Sequence, residues 1–237
     1  MAVADFDFFK VGAGSFTGDS TGNATTHVSL GSPLVGEGTY CREFSLSSGV
    51  STKTVIYLTA AADGYDYYEI PNTKSISVRA WLRADTVFSS NSAIGLTVKL
   101  DTAVPDTSTR VPHGYSLVLG DTGDGGPSAN LRLVLDAKVA AATLFDTGFT
   151  VSANTWTKVR MDVIPDGSQD LINIYSGTGS TGSETWTLEY AKVVLSTDYH
   201  YIPWGESSAG QVGFFAVCPN TVYATYIDRF QVFLEDI

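Results

Sequence analysis

The closing third of the chain decides the fold, because two alternating segments follow one another there. They read Gly210-Gln211-Val212-Gly213-Phe214-Phe215-Ala216-Val217 and, after a short break, Tyr226-Ile227-Asp228-Arg229-Phe230-Gln231-Val232-Phe233-Leu234. Apolar and polar side chains alternate in both, which is the pattern of a strand with one buried face. A domain that closes on a strand must place that strand inside a sheet to protect its edge. The ending therefore predicts an antiparallel sandwich, an architecture that favours recognition over catalysis.

The same alternation recurs in shorter segments along the chain. In the cleanest example, residues 75–84, apolar side chains share one face, and polar side chains and a tryptophan share the other. The first face carries Ile76, Val78, Ala80 and Leu82, and the second carries Ser77, Arg79, Trp81 and Arg83. About a dozen such strands, spaced by turns, are typical of an all-β sandwich or barrel.

Two local patterns refine this prediction. Pro165-Asp166-Gly167 is a strong turn signal between two alternating segments and predicts a hairpin. Residues 137–145 are rich in alanine, but so short a segment without a cap favours a strand or an irregular link over a helix.

The domain organisation follows from the even composition of the 237-residue chain. No linker rich in proline or serine divides it, so we expect one sandwich domain over residues 26–237. Residues 1–25 are predicted to form a separate N-terminal strand or arm. Phe6, Phe8 and Phe9 stand there ahead of a glycine-rich hinge, which suits either an ordinary first strand or an arm that docks on a neighbouring subunit.

Charge and composition exclude several classes of partner. The net charge of −11 and the lack of a basic cluster disfavour nucleic acid and anionic membranes. No apolar stretch approaches the length of a membrane span. Residues 1–10 lack the basic start and long apolar run of a signal peptide, so we expect synthesis in the cytosol. Cys41 and Cys218 each stand beside a predicted strand, but nothing indicates the oxidising compartment that a disulfide requires.

Several landmarks, taken in order, resemble the laminin G-like and concanavalin A-like jelly-roll domains. The segments that carry this resemblance are Gly38–Phe44, Ser75–Leu82, Asn154–Asp162, Asp166–Tyr175, Gly210–Gly213 and Tyr226–Val232. The resemblance spans roughly residues 26–237 and lies in order and spacing, so it supports the fold more than a function. It implies two stacked antiparallel sheets of the lectin/glucanase type, with a concave face that relatives often use for glycans. Trp81, Trp156, Phe214 and Phe230 are then expected to anchor the core.

The chain lacks the catalytic patterns expected of enzymes with this fold. Glycan-cleaving relatives carry a Glu-x-Asp-x-x-Glu strand, and no such string occurs here. The acid cluster Asp63–Glu69 would scatter its carboxylates across a strand. His27, His113 and His200 stand in surface-like surroundings and do not form a recognisable acid–base set. We therefore expect a protein that is not an enzyme.

Calcium is the one cofactor that the resemblance implies. Asp121 and Asp124 stand in the glycine-rich segment 120–126 and offer two carboxylates, which are the ligands that Ca²⁺ prefers. Asp166 and Asp170 offer a weaker second pair. Asp-Gly is also a common hairpin turn in its own right, so both interpretations stay open.

The best recognition candidates are two segments rich in aromatic residues and acids. One carries Tyr199, His200, Tyr201, Trp204 and Glu206, and the other carries Tyr65, Tyr67 and Tyr68. Tyr and Trp combine an apolar face with a polar edge, which suits stacking on sugars and contact with proteins alike. The alternative is that these rings merely cover the ends of the sandwich.

Two functions fit these observations. The chain looks like a non-catalytic bacteriophage virion component, such as a capsid decoration or a tail or fibre-associated module. Such a protein would assemble with other subunits, would form homo-oligomers, would be located in the virion and would also attach to surface glycans. The alternative is a carbohydrate-binding module of a polysaccharide-acting system. Glycan-binding assays distinguish the two.

Overall fold

The structure is a computed structural model that describes part of the chain. The described residues are 2–6, 16–17, 25–28, 41–44, 52–58, 74–84, 93–100, 114–120, 130–136, 141–197, 211–218 and 225–236.

The regular elements in these residues are fifteen strands. In chain order they are β1 (Ala2–Phe6), β2 (Phe16–Thr17), β3 (Thr25–Val28), β4 (Cys41–Phe44), β5 (Thr52–Leu58), β6 (Lys74–Ala84), β7 (Ala93–Leu100), β8 (Tyr115–Gly120), β9 (Asn130–Asp136), β10 (Ala141–Thr150), β11 (Thr157–Asp166), β12 (Gln169–Thr178), β13 (Thr185–Leu195), β14 (Gln211–Cys218) and β15 (Thr225–Asp236). The described residues include no helix long and apolar enough to cross a membrane.

The strands form two antiparallel sheets. The eight-stranded sheet has the order β13-β12-β11-β6-β15-β4-β3, and β1 also pairs with β15. The seven-stranded sheet has the order β10-β9-β8-β7-β14-β5-β2. The closing strand β15 lies inside its sheet, with β6 along one edge and β4 and β1 sharing the other. The predicted all-β antiparallel sandwich is therefore confirmed.

The core lies between the sheets and follows the alternation of the sequence. Ile76, Val78 and Leu82 of β6 are fully buried, and so are the corresponding alternate residues of β7 and β11. Phe214 of β14 and Phe230 of β15 meet edge to face, with ring centroids 5.3 Å apart. Because these two strands belong to different sheets, this aromatic pair joins the layers.

The two tryptophans expected in the core lie outside it, and this part of the prediction was wrong. Trp81 occupies the outward register of β6, and its ring lies 5.1 Å from the Lys158 ammonium rather than between the sheets. Trp156 precedes β11 and lies 6.4 Å from the ring of Tyr226. Both side chains are half-buried. For Trp81 the reason is the pleat: a strand whose even-numbered residues face the core must turn its odd-numbered residues outward. Trp156 stands in the loop before β11.

A buried ion pair also links the two sheets. Lys99 of β7 and Asp170 of β12 are both fully buried, with 2.5 Å between Nζ and Oδ2. The Tyr115 hydroxyl donates to the same oxygen at 2.6 Å. Lys99 stands where the β7–β14 register shifts and has a φ of +57°, and this bulge turns its side chain inward.

The hairpin predicted at Pro165-Asp166-Gly167 joins β11 to β12. Asp166 pairs with Gln169 across a two-residue loop, and Gly167 has a φ of +62°, which a turn of this kind requires. The ambiguous alanine-rich segment contributes to β10, an edge strand of the seven-stranded sheet. Cys41 is buried in β4, whereas Cys218 ends β14 in the other sheet.

Candidate functional site

The outer face of the eight-stranded sheet carries a cluster of cations around one indole ring. The charged ends of Arg79, Lys158 and Arg160 lie 5.5, 5.9 and 5.9 Å from the Trp186 ring centroid. Lys158 also lies 5.1 Å from the ring of Trp81. We call these five residues the cation–aromatic cluster. They come from the three strands β6, β11 and β13, and the alternation of each strand turns them away from the core.

A glycine lets the central ring lie flat on the sheet. Gly177 of β12 is the register partner of Trp186. A Cβ atom at Gly177 would lie 2.6 Å from a carbon of that ring, well inside van der Waals contact. Only glycine therefore lets Trp186 lie across β12 toward the cations of β11.

The charges of the cluster are compensated by neighbouring acids. Glu184 lies 3.1 Å from Lys158 and 3.9 Å from Arg79, and the Lys158 ammonium also donates to the Gly179 carbonyl oxygen at 3.2 Å. The Lys158 and Glu184 side chains are only 2% and 6% exposed, so their pairing is shielded from solvent. Burial raises the pKa of Glu184, but hydrogen bonds from its own amide, Lys158 and the Gly182 amide outweigh burial and leave that pKa below its usual value.

On the same outer face, Arg160 is also held between an acid and an aromatic ring. Arg160 donates two hydrogen bonds to Asp162, at 2.7 and 2.5 Å, and its guanidinium lies 4.9 Å from the Tyr175 ring. Burial, assisted by the Asp162 carboxylate, raises the pKa of the Tyr175 hydroxyl. Lys158 and Arg160 are therefore both held in fixed geometry by acids and aromatic rings.

Beside the cluster lies a cavity of about 420 Å³. It opens where the end of β10, the 151–156 loop, the start of β11 and the end of β12 meet. Its lining is Phe149, Thr150, Val151, Ser152, Thr155, Trp156, Thr157, Lys158, Ser176, Gly177 and Thr178. We call it the β10–β12 cavity. Because its strands belong to both sheets, it lies at an open edge of the sandwich.

The loop that forms one wall of this cavity is anchored at Asn154 and at Trp156. The Asn154 amide donates to the Ala84 carbonyl oxygen at 2.8 Å, and Arg83 donates to the Asn154 side chain at 3.4 Å. Asn154 has a φ of +58°, a conformation that asparagine tolerates better than most residues. Trp156 packs against Tyr226 of β15. The wall is therefore held in place before any ligand arrives.

Hydroxyl groups and two aromatic rings dominate the chemistry of the cavity. The hydroxyl-bearing residues are Thr150, Ser152, Thr155, Thr157, Ser176 and Thr178. Lys158 is the one charged residue in the lining, and Glu184 neutralises it. The indole nitrogen of Trp156 is covered and has no hydrogen-bond partner in the described part of the chain, so this ring offers its carbon surface. No Asp, Glu or His lines the cavity, and the described lining therefore holds no acid–base pair.

The residues predicted as recognition sites lie outside the part of the chain that the structure describes. This applies to Tyr199, His200, Tyr201, Trp204 and Glu206, to Tyr65, Tyr67 and Tyr68, and to the calcium candidates Asp121 and Asp124. All of these sites stay predictions.

The second calcium pair, Asp166 and Asp170, is described, and that interpretation was wrong. Asp166 is exposed and accepts a hydrogen bond from Gln169 at 2.9 Å. Asp170 is fully buried, and its carboxylate binds Lys99 and Tyr115. The two carboxylates face opposite environments, because residues 166 and 170 flank a hairpin turn and only the second points into the core.

Sequence reasoning missed both the cluster and the cavity. One signal was present: the outward face predicted for residues 75–84 joins Arg79, Trp81 and Arg83, an unusual set for a solvated face. The alternation of 156–164 likewise puts Lys158 and Arg160 on one face. That these faces meet on adjacent strands follows only from the β6–β11 pairing.

Comparisons with known proteins show the fold. No protein-family model matches the chain, and no curated protein sequence matches it either. Solved lectin structures do match over nearly the full chain. The UEA-II lectin complexed with galactose is 9% identical, with 99% of this chain and 100% of that chain covered and a TM-score of 0.56.

Two further lectins share the same architecture. Peanut lectin with a nine-residue peptide is 12% identical, with 99% of each chain covered and a TM-score of 0.54. The exoplasmic/lumenal domain of VIP36, in a form bound to Ca²⁺ and Man3GlcNAc, is 10% identical, with 92% and 81% covered and a TM-score of 0.53. The fold is therefore the jelly-roll β-sandwich of the lectins, as the resemblance to concanavalin A-like domains implied.

Proposed function

We propose that this chain is a non-catalytic, lectin-like module that binds a neutral sugar in the β10–β12 cavity. The observation that carries the proposal is the lining itself: six hydroxyl-bearing residues and two aromatic rings surround about 420 Å³ of space. This volume is within the roughly 300–1,000 Å³ typical of small-molecule sites. The lectin fold supports the proposal as an analogy of architecture.

The lining matches both surfaces of a sugar ring. A pyranose has an apolar C–H face, which stacks on an aromatic ring such as Trp156. Its rim carries hydroxyls that donate and accept, and the hydroxyls of Ser152, Thr155 and Thr178 can do the same. Because the charge of Lys158 is neutralised and the whole chain is strongly acidic, we propose a neutral sugar rather than an anionic one.

The proposal is tested by retention of the chain in affinity gels that contain neutral polysaccharides, followed by a glycan array. We expect Trp156→Ala to abolish retention and Trp156→Phe to keep part of it, since phenylalanine retains a ring face. Each variant is also unfolded thermally, because loss of the contact with Tyr226 lowers stability on its own. A folded Trp156→Ala chain that binds like the native chain would refute the site.

A matched variant tests the sites predicted from the sequence. Trp204→Ala removes the tryptophan of the Tyr199–Glu206 segment, the first of the recognition candidates. If retention depends on Trp204 and not on Trp156, the sugar binds at that segment and the β10–β12 cavity is the wrong site. If the native chain binds no glycan on the array, the proposed function itself is wrong.

Calcium is proposed at Asp121 and Asp124, because VIP36 carries Ca²⁺ in its sugar-bound form on the same architecture. Carboxylates in a glycine-rich segment are suitable ligands for this ion. Calcium is not needed to explain the β10–β12 cavity, whose lining contains no carboxylate.

A place in a bacteriophage virion stays a proposal from the sequence. It comprises assembly with other subunits, synthesis in the host cytoplasm and homo-oligomer formation, and it is compatible with attachment to surface glycans. The proposal would be refuted if the proteins of the purified bacteriophage virions did not include this chain.

A further inference from the structure

A nucleophile and a carboxyl group are in contact in the core, away from the proposed sugar site. The side chains of Lys99 on β7 and Asp170 on β12 are fully buried, and 2.5 Å separates Nζ from Oδ2. The hydroxyl of Tyr115 on β8 donates to the same oxygen at 2.6 Å. None of these three residues lines the β10–β12 cavity, so an inference from them does not depend on the proposed function.

The lysine nitrogen also lies close to the carboxyl carbon. A carbonyl carbon is about 1.2 Å from its oxygen, so Nζ lies no more than about 3.7 Å from Cγ of Asp170. This is close to the roughly 3–3.5 Å at which two held groups react as though they were present at very high concentration. The bulge at Lys99 and the hairpin before Asp170 fix the backbone on both sides of the contact.

The surroundings of the pair favour uncharged groups over charged ones. Oδ1 of Asp170 is buried and has no hydrogen-bond partner in the described part of the chain. Burial also lowers the pKa of Lys99 from 10.5 to about 8. Transfer of one proton from Nζ to Oδ2 gives an amine and a carboxylic acid, both uncharged, and the low dielectric of a core favours that state more than water does.

We propose that Lys99 and Asp170 condense to an amide that joins the two sheets covalently. After the proton has moved to Oδ2, the lone pair of Nζ attacks Cγ and forms the Nζ–Cγ bond. A second proton passes from Nζ to the Oδ2 hydroxyl, the Cγ–Oδ2 bond breaks with its electron pair on oxygen, and one water leaves. Oδ1 remains as the carbonyl oxygen of the amide. The step needs no oxidant, reductant or other reactant.

Tyr115 and the apolar core both assist this reaction. The Tyr115 hydroxyl donates to Oδ2, the oxygen that leaves, so it stabilises the charge that develops there. The product replaces two buried charges with one uncharged amide, which removes the cost of keeping both ions out of water. The freshly folded chain holds the ion pair, and the condensed chain accumulates from its minor uncharged form.

Intact mass spectrometry of the native chain, kept folded for days at neutral pH, tests the proposal. We expect a growing fraction that is lighter by one water molecule. Trypsin does not cleave after an acylated lysine, so digestion of that fraction should release residues 84–110 joined to residues 161–192. Tyr115→Phe keeps both reacting groups and should slow the accumulation about tenfold or more.

Two controls separate this bond from other losses of water. Asp63, Asp124 and Asp166 each precede a glycine, and such an aspartate loses water when it closes to a cyclic imide. The same chain kept in urea should form the imide but not the joined peptides, because only the fold brings the lysine to the carboxyl group. Lys99→Met removes the nucleophile and should give no joined peptides.

The proposal is overturned if the folded native chain keeps its full mass throughout the incubation. It is equally overturned if the peptide map places every loss of water at the aspartates before glycine, or if the joined peptides form as fast in urea. These outcomes are read on the native chain, so they decide the question even if Lys99→Met does not fold. An unchanged rate in Tyr115→Phe would refute the role of the tyrosine.

Discussion

The ion pair buried between the sheets supports the sharpest prediction about stability. Lys99 and Asp170 are both inaccessible to solvent, and Tyr115 donates to the same carboxylate oxygen that the ammonium contacts. Lys99→Met keeps the length of the side chain but leaves the carboxylate in the core with the Tyr115 hydroxyl alone. Removing one partner of a buried pair costs about 3–5 kcal/mol, because the charge that remains has lost its compensation.

The assay is urea unfolding followed by tryptophan fluorescence at neutral pH, with m-values compared to confirm the same transition. Lys99→Met and Asp170→Asn should each lower the free energy of unfolding by about 3–5 kcal/mol. The double variant should lose clearly less than the sum of both, since neither charge is left alone. Tyr115→Phe removes one hydrogen bond to a charged acceptor and should cost less, about 1.5–3 kcal/mol. Single losses below about 1 kcal/mol, or losses that simply add, would refute this account of the pair.

Lys99 should also make the stability of the fold depend on pH. Burial lowers the pKa of Lys99 from 10.5 to about 8, although the attraction of Asp170 opposes the change. Between these two values the folded chain binds fewer protons at this site than the unfolded chain, so stability should rise with pH across that interval. Lys99→Met should remove this rise. An identical pH profile in both chains would contradict the direction of the shift.

Three further changes follow from other parts of the structure. Gly177→Ala should lower the free energy of unfolding in denaturant by about 1–3 kcal/mol, because the new Cβ collides with Trp186. The loss should be smaller when Trp186→Leu is also present. An equal loss in both backgrounds would contradict the steric reason. The folded state lowers the pKa of Glu184 below its usual value of 4.5, so the native chain should lose stability as the pH falls below 4.5. Glu184→Gln should reduce that loss. Melting temperatures measured over acidic pH test this. Calcium should raise the melting temperature of the native chain and not that of Asp121→Asn/Asp124→Asn; no response to calcium or to a chelator would remove the proposed metal.

The fold could be predicted because strand alternation is local information. Residues 75–84 show which side chains share a face of β6, and the structure buries that apolar face. The turn around Gly167 was equally local, since a two-residue hairpin needs a residue with positive φ. The antiparallel sandwich follows once many such strands are joined by short turns.

The candidate site could be predicted only in part, because it is a property of neighbouring strands. Trp81 and Trp156 were expected in the core on account of their size, yet the pleat turns one outward and the other lies in a loop. The ring of Trp186 meets cations from β6 and β11, two strands that residues 85–156 separate in the sequence. A periodic pattern along one strand does not show which other strands lie beside it in the sheet.

Sequence alone therefore determined the strands, their inward and outward faces and the turns between them, because each depends on neighbours within a few residues. The tertiary structure decided the rest. It set Lys99 against Asp170, laid Trp186 over Gly177 and opened the β10–β12 cavity between two sheets. These contacts join residues far apart in the chain, and only the pairing order of the strands brings them within reach of one another.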